Sequence, residues 1–246
     1  MIPHASNVLG SALPVAELAE RAHAVGAVVV VDAAQSAGHL PIDVQAMGAD
    51  VLCFTGHKGL LGPQGTGGIW VREGIDIDPL LFGGTGADSW DEGMPSAMPD
   101  RLEAGTQNAP GIAGLLAGVE FVREWGVDAI HQQEMRLKAR LFDRLSAIDG
   151  LRVLSPAAPD GVGIVTVLAD AMDAAEMARR LDCDFGVLTR AGLHCAPEAH
   201  GILGTVETGA VRLSVGWATT EDDVDRAADA VAALCGVETT APGQGR

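Results

Sequence analysis

Lysine is scarce in this chain. Only Lys58 and Lys138 occur, and arginine fills the basic positions elsewhere. Positive charge as a whole is thin, with 16 Lys and Arg against 33 Asp and Glu and a formal net charge of −17. A field of that sign repels a phosphate backbone, and no basic run stands against it, so nucleic acid is excluded as a partner. Long apolar runs are absent too: AVVVV, Ala27 to Val31, is strand-sized and far short of the roughly 20 residues a helix needs to span a bilayer. The start, MIPHASN, lacks the basic residues and apolar stretch of a signal peptide, and a cytoplasmic location is expected. The four cysteines, Cys53, Cys183, Cys195 and Cys235, show no CxxC spacing. They are expected as free thiols in a reducing compartment, and a zinc site has no support.

What is present is the composition of a folded protein. With 246 residues, 48% hydrophobic and 20% charged, the chain can bury a sizeable core in one large domain, alone or with a smaller one. Pro14 to Val25 has helical periodicity with proline in the first turn, and Gly26 ends it. AVVVVDA, Ala27 to Ala33, is an unbroken β-branched run suited to a parallel sheet covered on both faces. A short helical piece around Val44 to Met47, a strand DVLCFT, a glycine-rich loop and a strand GIWVRE follow. This alternation predicts an α/β layer. Ala109 to Ile148 reads as mostly helical. After Gly150 come LRVLSP, GIVTVLA, a helix at Ala174 to Leu181, GVLTRAG, AVRLSVGW and a final helix TEDDVDRAADAVAALC. The expected organisation is a large-domain portion over residues 1–150, a small α+β domain over 151–238 and a loose tail over 239–246. The first portion has too few strands to complete a large sheet.

The chemistry concentrates where strands end. In open α/β sheets, ligands bind beyond the carboxyl ends of the strands. Asp32 closes AVVVVD, and Thr55, His57 and Lys58 follow VLCFT, so adjacent strands would deliver an acid and an amine to one crevice. The plainer reading is a helix-capping Asp and an exposed Lys in a turn, and spacing alone leaves both open. GHKGLLGPQGTGG is not a Walker loop, because its lysine precedes the glycine run instead of closing it. An amine, a carboxylate and phosphate-capable donors are what pyridoxal 5'-phosphate requires: the amine for a Schiff base, the carboxylate for the pyridinium nitrogen.

Five segments in order, SNVLG, VDAAQ, TGHKGLLGPQGTG, RLEAGTQN and RAGLHCAP, resemble the cysteine desulfurase and selenocysteine lyase family of class V aminotransferases. These are pyridoxal-phosphate enzymes of fold type I. The resemblance implies that Lys58 binds the cofactor covalently, Asp32 pairs with its ring nitrogen, and Gln35 and Asn7 bond its phenolic oxygen. Thr55 and His57 match phosphate-binding positions. Thr106 matches a threonine that reaches the neighbouring subunit's cofactor, which implies a homodimer. Cys195 matches the thiol that takes sulfur from the substrate, cysteine or selenocysteine, and would pass it to an acceptor protein.

Arg212 alternates with Val211, Leu213 and Val215 on its strand; by pattern it lies on a solvated face, whereas the family's matching arginine grips the substrate α-carboxylate. Arg190 would also reach substrate or the cysteine loop. His194 and His200 keep two readings, tuning the Cys195 thiolate or lining the loop. Cys53, Cys183 and Cys235 read as buried small apolar residues, and His39 and His131 as surface residues. The resemblance begins inside the family's large domain, upstream of which lie the ring that stacks on the cofactor and a phosphate-cradling helix N-terminus. Activity is therefore expected of the complete protein. A class V aminotransferase or lyase for another amino acid, and a non-catalytic fragment or subunit needing an upstream partner, are the alternatives.

Overall fold

The computed structural model describes residues 1–86, 93–157 and 161–236; the expected loose tail, 239–246, lies outside them. The described residues form an α/β arrangement of two four-stranded sheets with helices. In the first sheet, β1 (Ile2–Pro3), β2 (Val30–Asp32), β3 (Val51–Thr55) and β4 (Gly67–Val71) lie in chain order. The first three are parallel and β4 is antiparallel to β3. Helix α1 (Val15–His23) turns Val15 and Ala19, four residues apart, onto Val29, Val31 and Leu52 in the buried layer.

Three local expectations change for physical reasons. Strand β2 is shorter than its apolar run, because the Val29 N–H goes to the Asp50 carboxylate at 2.7 Å while Val28 stays half exposed. Asp50 is itself buried, and its Oδ1 meets Arg72 at 2.7 Å, so one carboxylate joins the starts of β2 and β3 to the end of β4. The segment around Val44 to Met47 is a turn and not a helix. Asp43 accepts the Gln45 and Ala46 N–H groups, a local alternative to helical bonding. Strand β1 was not expected from its two residues, one a proline, which suits only a sheet edge.

Helix α2 (Ala109–Trp125) is capped by Asn108, whose Oδ1 accepts the Gly111 N–H at 3.1 Å. Its small residues have a packing cause: a Cβ on Gly118 would stand 2.2 Å from the Leu60 carbonyl oxygen, so only glycine lets the helix lie on the loop after Lys58. Gly126 (φ +82°) breaks the helical stretch and starts α3 (Val127–Ser146).

The second sheet is antiparallel, in the order β5 (Leu151–Val153), β6 (Ile164–Ala169), β8 (Ala210–Ser214), β7 (Arg190–Gly192). Its core takes Val165, Val167, Val211 and Leu213 from the strands. Helices α3, α4 (Ala174–Phe185) and α6 (Glu221–Leu234) add Leu141, Leu145, Met177, Leu181 and Val231. Thr220 and Asp223 close a capping box at the start of α6. Arg140 and Arg144 of α3 pair with Asp225 and Asp229 of α6, which aligns two helices already held by the core. A helix not expected from sequence, α5 (Pro197–Leu203), follows the cysteine loop.

The segment after β1 ties the sheets together. The Val162 N–H donates to the Gly10 carbonyl at 2.8 Å, and the Thr166 hydroxyl donates to the Val8 carbonyl.

Gly38 (φ +85°) sits where an added Cβ would be 2.3 Å from the Gly59 carbonyl oxygen, in the backbone just past Lys58. Gly26 (φ +74°) has open space around the same position. Gly26→Ala should cost about 1 kcal/mol, the left-handed penalty alone. Gly38→Ala should cost about 3 kcal/mol or more, because backbone must also move. Denaturant unfolding of both variants checks this, and equal losses would refute the packing account.

Candidate active site

The site begins with register. Asp32 lies opposite Cys53 on the parallel pair β2 and β3, so both strands end at the same edge of the sheet. Asp32 then turns the chain by accepting the Ala34 N–H at 2.9 Å. Two residues past Cys53, Thr55 ends β3, and its hydroxyl lies 2.6 Å from Nδ1 of the exposed His57. Gln35 is half-buried in the turn after β2.

Lys58 is half-buried, with Asp32, Arg212, Arg190 and Cys195 acting on its amine. Burial holds its pKa below the ordinary lysine value. Asp32 opposes that shift, Arg212 and Arg190 add to it, and Cys195 opposes it. A lysine so placed is a readier nucleophile and base than a solvated one.

The second sheet delivers the other half. The pattern of Arg212 resolves as sequence alone could not: Val211 and Leu213 enter the core, while Arg212 is half-buried and turned toward the first sheet. Its Nη1 donates to the Asn7 carbonyl at 3.0 Å, and its Nε is buried without a protein partner. Burial, and then Arg190, lower its pKa, yet a guanidinium stays protonated at neutral pH. An uncommitted, desolvated guanidinium N–H is a ready donor for a carboxylate. Arg190, exposed on β7, points Nη2 at Cys195 Sγ, 3.4 Å away.

Asn7 joins the halves. It accepts from Arg212 through its carbonyl and donates from Nδ2 to the His194 carbonyl at 2.6 Å. Cys195 is exposed at the tip of that loop, and both His194 (φ 53°) and Cys195 (φ 60°) are left-handed. For residues other than glycine this stores roughly 1–3 kcal/mol each and is characteristic of functional segments.

Lys58, Asp32, Arg190, Arg212, Cys195 and Asn7 thus belong to one constellation drawn from both sheets. Thr106 lies elsewhere, exposed in a hollow lined by Gly84, Thr85, Asp100, Glu103 and Gln107. Cys53 and Cys235 are partly buried, but Cys183 is exposed, against the expectation of burial.

Two features escaped the sequence reading. His39 is only partly exposed, and its Nδ1 lies 2.9 Å from both oxygens of the buried Glu134. Its ring also packs so close to Gly59 that a Cβ there would meet it at 2.5 Å. Lys138, in a charged stretch of α3, is fully buried one turn from Glu134. His131 is half-buried, with its Nδ1 buried and without a partner. The second feature is a pair of buried imidazoles, His194 and His200, stacked behind Cys195 with ring centroids 5.5 Å apart. Glu134 and His39 are 95 residues apart, so no local pattern could have joined them.

Comparison with known proteins bears on the family and the fold. A probable cysteine desulfurase of Methanothermobacter thermautotrophicus is 36% identical over 242 residues, covering 96% of this chain and 60% of the relative. A cysteine desulfurase of Escherichia coli is 36% identical over 230 residues, covering 92% of this chain and 55% of the relative. The apo cysteine desulfurase of Thermococcus onnurineus superposes with a TM-score of 0.86 at 32% identity, over 95% of this chain and 59% of that one. The chain therefore spans 55% to 60% of the length of these relatives. Among the described residues, no helix is long and apolar enough to cross a membrane. The class-V aminotransferase profile matches residues 1–227. With its fold, its lysine-bearing strand end and this match in agreement, the chain belongs to the class-V aminotransferase family.

Proposed function

We propose that this chain is the lysine- and cysteine-bearing part of a pyridoxal-phosphate-dependent cysteine desulfurase. The observation that carries the reading is the convergence of Lys58, Asp32, Arg190, Arg212 and Cys195, drawn from two sheets, around one amine. The residues fit the cofactor: Lys58 offers a partly desolvated amine, Asp32 a carboxylate at the adjacent strand end, and Thr55 and His57 a hydroxyl and an imidazole. Asn7 and Gln35 lie on the neighbouring turns, where the phenolic oxygen would be held. When bound, the cofactor supplies an electron sink that acidifies the substrate α-carbon.

The chain's own groups do the rest. The buried Nε of Arg212, with Arg190 beside it, receives the α-carboxylate of the amino acid. The Lys58 amine takes and returns protons at carbon. The Cys195 thiolate attacks the substrate sulfur, the carbon–sulfur bond breaks, and the carbon gains a proton. The products are L-alanine and a persulfide on Cys195, so atoms and electrons balance without an outside oxidant. Selenocysteine fits the same scheme. An acceptor protein then removes the persulfide sulfur, for which the exposure of Cys195 leaves access. The complete protein is a cytoplasmic homodimer in this reading, with the exposed Thr106 reaching the partner subunit's cofactor. Residues 1–150 form the partial cofactor-binding unit and 151–238 the small α+β unit, with α3 packed into the core of the second sheet.

Mixed with pyridoxal phosphate, the purified chain should show the visible band of the lysine-linked cofactor, and Lys58→Ala should not. An equal band in the variant would remove Lys58 from this role. A folded wild type that gains the band only with a complementary upstream polypeptide would identify the chain as an incomplete unit.

In the complete protein, Cys195→Ser should keep the band and lose sulfur release from cysteine by roughly a thousandfold or more, as when a nucleophile is removed. Unchanged sulfur release would overturn the desulfurase reading. Keto-acid formation surviving that substitution would favour an aminotransferase for another amino acid.

A further inference from the structure

Behind Cys195 lies a polar network that the proposed chemistry does not use. His194 is 2% exposed and His200 fully buried, and burial disfavours the charged form of both rings. A neutral imidazole has one N–H, and the partners decide which nitrogen carries it. His194 Nε2 lies 3.1 Å from the Arg190 carbonyl, which can only accept, so Nε2 is the donor and His194 Nδ1 must accept. That Nδ1 lies 3.4 Å from His200 Nε2, which therefore donates. His200 Nδ1 then accepts, and the Thr205 hydroxyl 2.7 Å away donates to it. The chain runs in one direction, from Thr205 through His200 and His194 to the backbone of Arg190.

The Arg190 end of this chain and the Asn7 side chain bracket the thiol. Arg190 has its carbonyl held by His194 and its guanidinium placed 3.4 Å from Cys195 Sγ. The His194 carbonyl is held by Asn7, and the two left-handed residues, His194 and Cys195, stand between these anchors. Left-handed geometry at two successive side-chain-bearing residues persists only where the surroundings enforce it. Here the enforcing contacts are the imidazole network on one side and Asn7 on the other.

We propose that His200 is a positioning residue: through His194 and the Arg190 carbonyl it holds the cysteine loop so that Cys195 Sγ stands against the Arg190 guanidinium. His200 itself is directed to His194 and Thr205, not to the thiol. The inference rests on the reading of Cys195 as the sulfur-accepting nucleophile, but its geometry concerns only this chain's own residues.

The test needs neither cofactor nor turnover. Arg190, Arg212 and Lys58 make the surroundings of Cys195 cationic, so anionic iodoacetate should gain on neutral iodoacetamide in alkylating this thiol. The rate ratio at Cys195, followed on its peptide by mass spectrometry in the intact chain, reports how the thiol sits among those charges. Arg190→Ala sets the scale for a lost contact, a fall on the order of tenfold. His200→Ala should lower the ratio to a similar extent. His200→Gln should restore it, because a glutamine amide can donate to His194 in place of the ring. If His200→Ala does not fold, Thr205→Val removes only the hydroxyl that orients the ring and should lower the ratio part of the way. A folded His200→Ala or Thr205→Val protein that loses thermal stability but keeps the wild-type ratio would overturn the proposal and leave His200 with a packing role. Sulfur release that survives Cys195→Ser would sink the desulfurase reading without changing this ratio, so the two failures are separable.

Discussion

Because β2 and β3 run parallel with Asp32 opposite Cys53, both strands must release their chains at one edge of the sheet. An antiparallel pairing would send the carboxylate and the amine to opposite edges. The parallel register is stable here because Val29, Val31 and Leu52 are covered by α1, and because the buried Asp50 carboxylate takes up the Val29 N–H and faces Arg72. Everything at the site inherits that choice: the turn after Asp32, the loop after Thr55, and the seating of that loop against Gly38, His39 and Gly118.

The loop around Lys58 is held by contacts that side chains cannot enter. Gly38 and Gly59 bring two backbone segments together, and Gly118 brings α2 onto the Leu60 carbonyl. His39 fills the remaining gap, fixed from behind by Glu134 of α3. The same helix places Leu141 and Leu145 in the core of the second sheet. One helix therefore supports both the lysine loop and the sheet that presents the arginines. A half-buried amine with a shifted pKa is useful only if its surroundings do not relax toward water, and this packing meets that need.

The cysteine loop follows a different physical logic. Cys195 is exposed and its backbone is strained, whereas His194 and His200 beneath it are buried and hydrogen-bonded. Exposure gives the sulfur access to partners, and the buried network limits where it can point. Asn7 makes the loop answer to the first sheet, since a single side chain connects the His194 carbonyl to the segment that Arg212 also bonds.

Much of this is legible in the amino-acid sequence. The β-branched run ending in Asp32, the lysine between a strand and a glycine-rich loop, and the alternation around Arg212 are local patterns, and local patterns survive in sequence because period and strand ends dictate side-chain direction. They determined the α/β character, while the ordered motifs pointed to the family and, through that resemblance, to most of the candidate residues. Where local hydrogen bonds compete with periodicity, as at Asp43 and at the Val29 N–H, the pattern misplaced an element. Only the tertiary structure decided that Arg212 faces the site and not water, that Lys138 is buried, that His39 meets Glu134 and that His194 and His200 form one network. Most of these depend on contacts between residues far apart in the chain, and the last on a loop folded back on itself, so packing and not periodicity settles them.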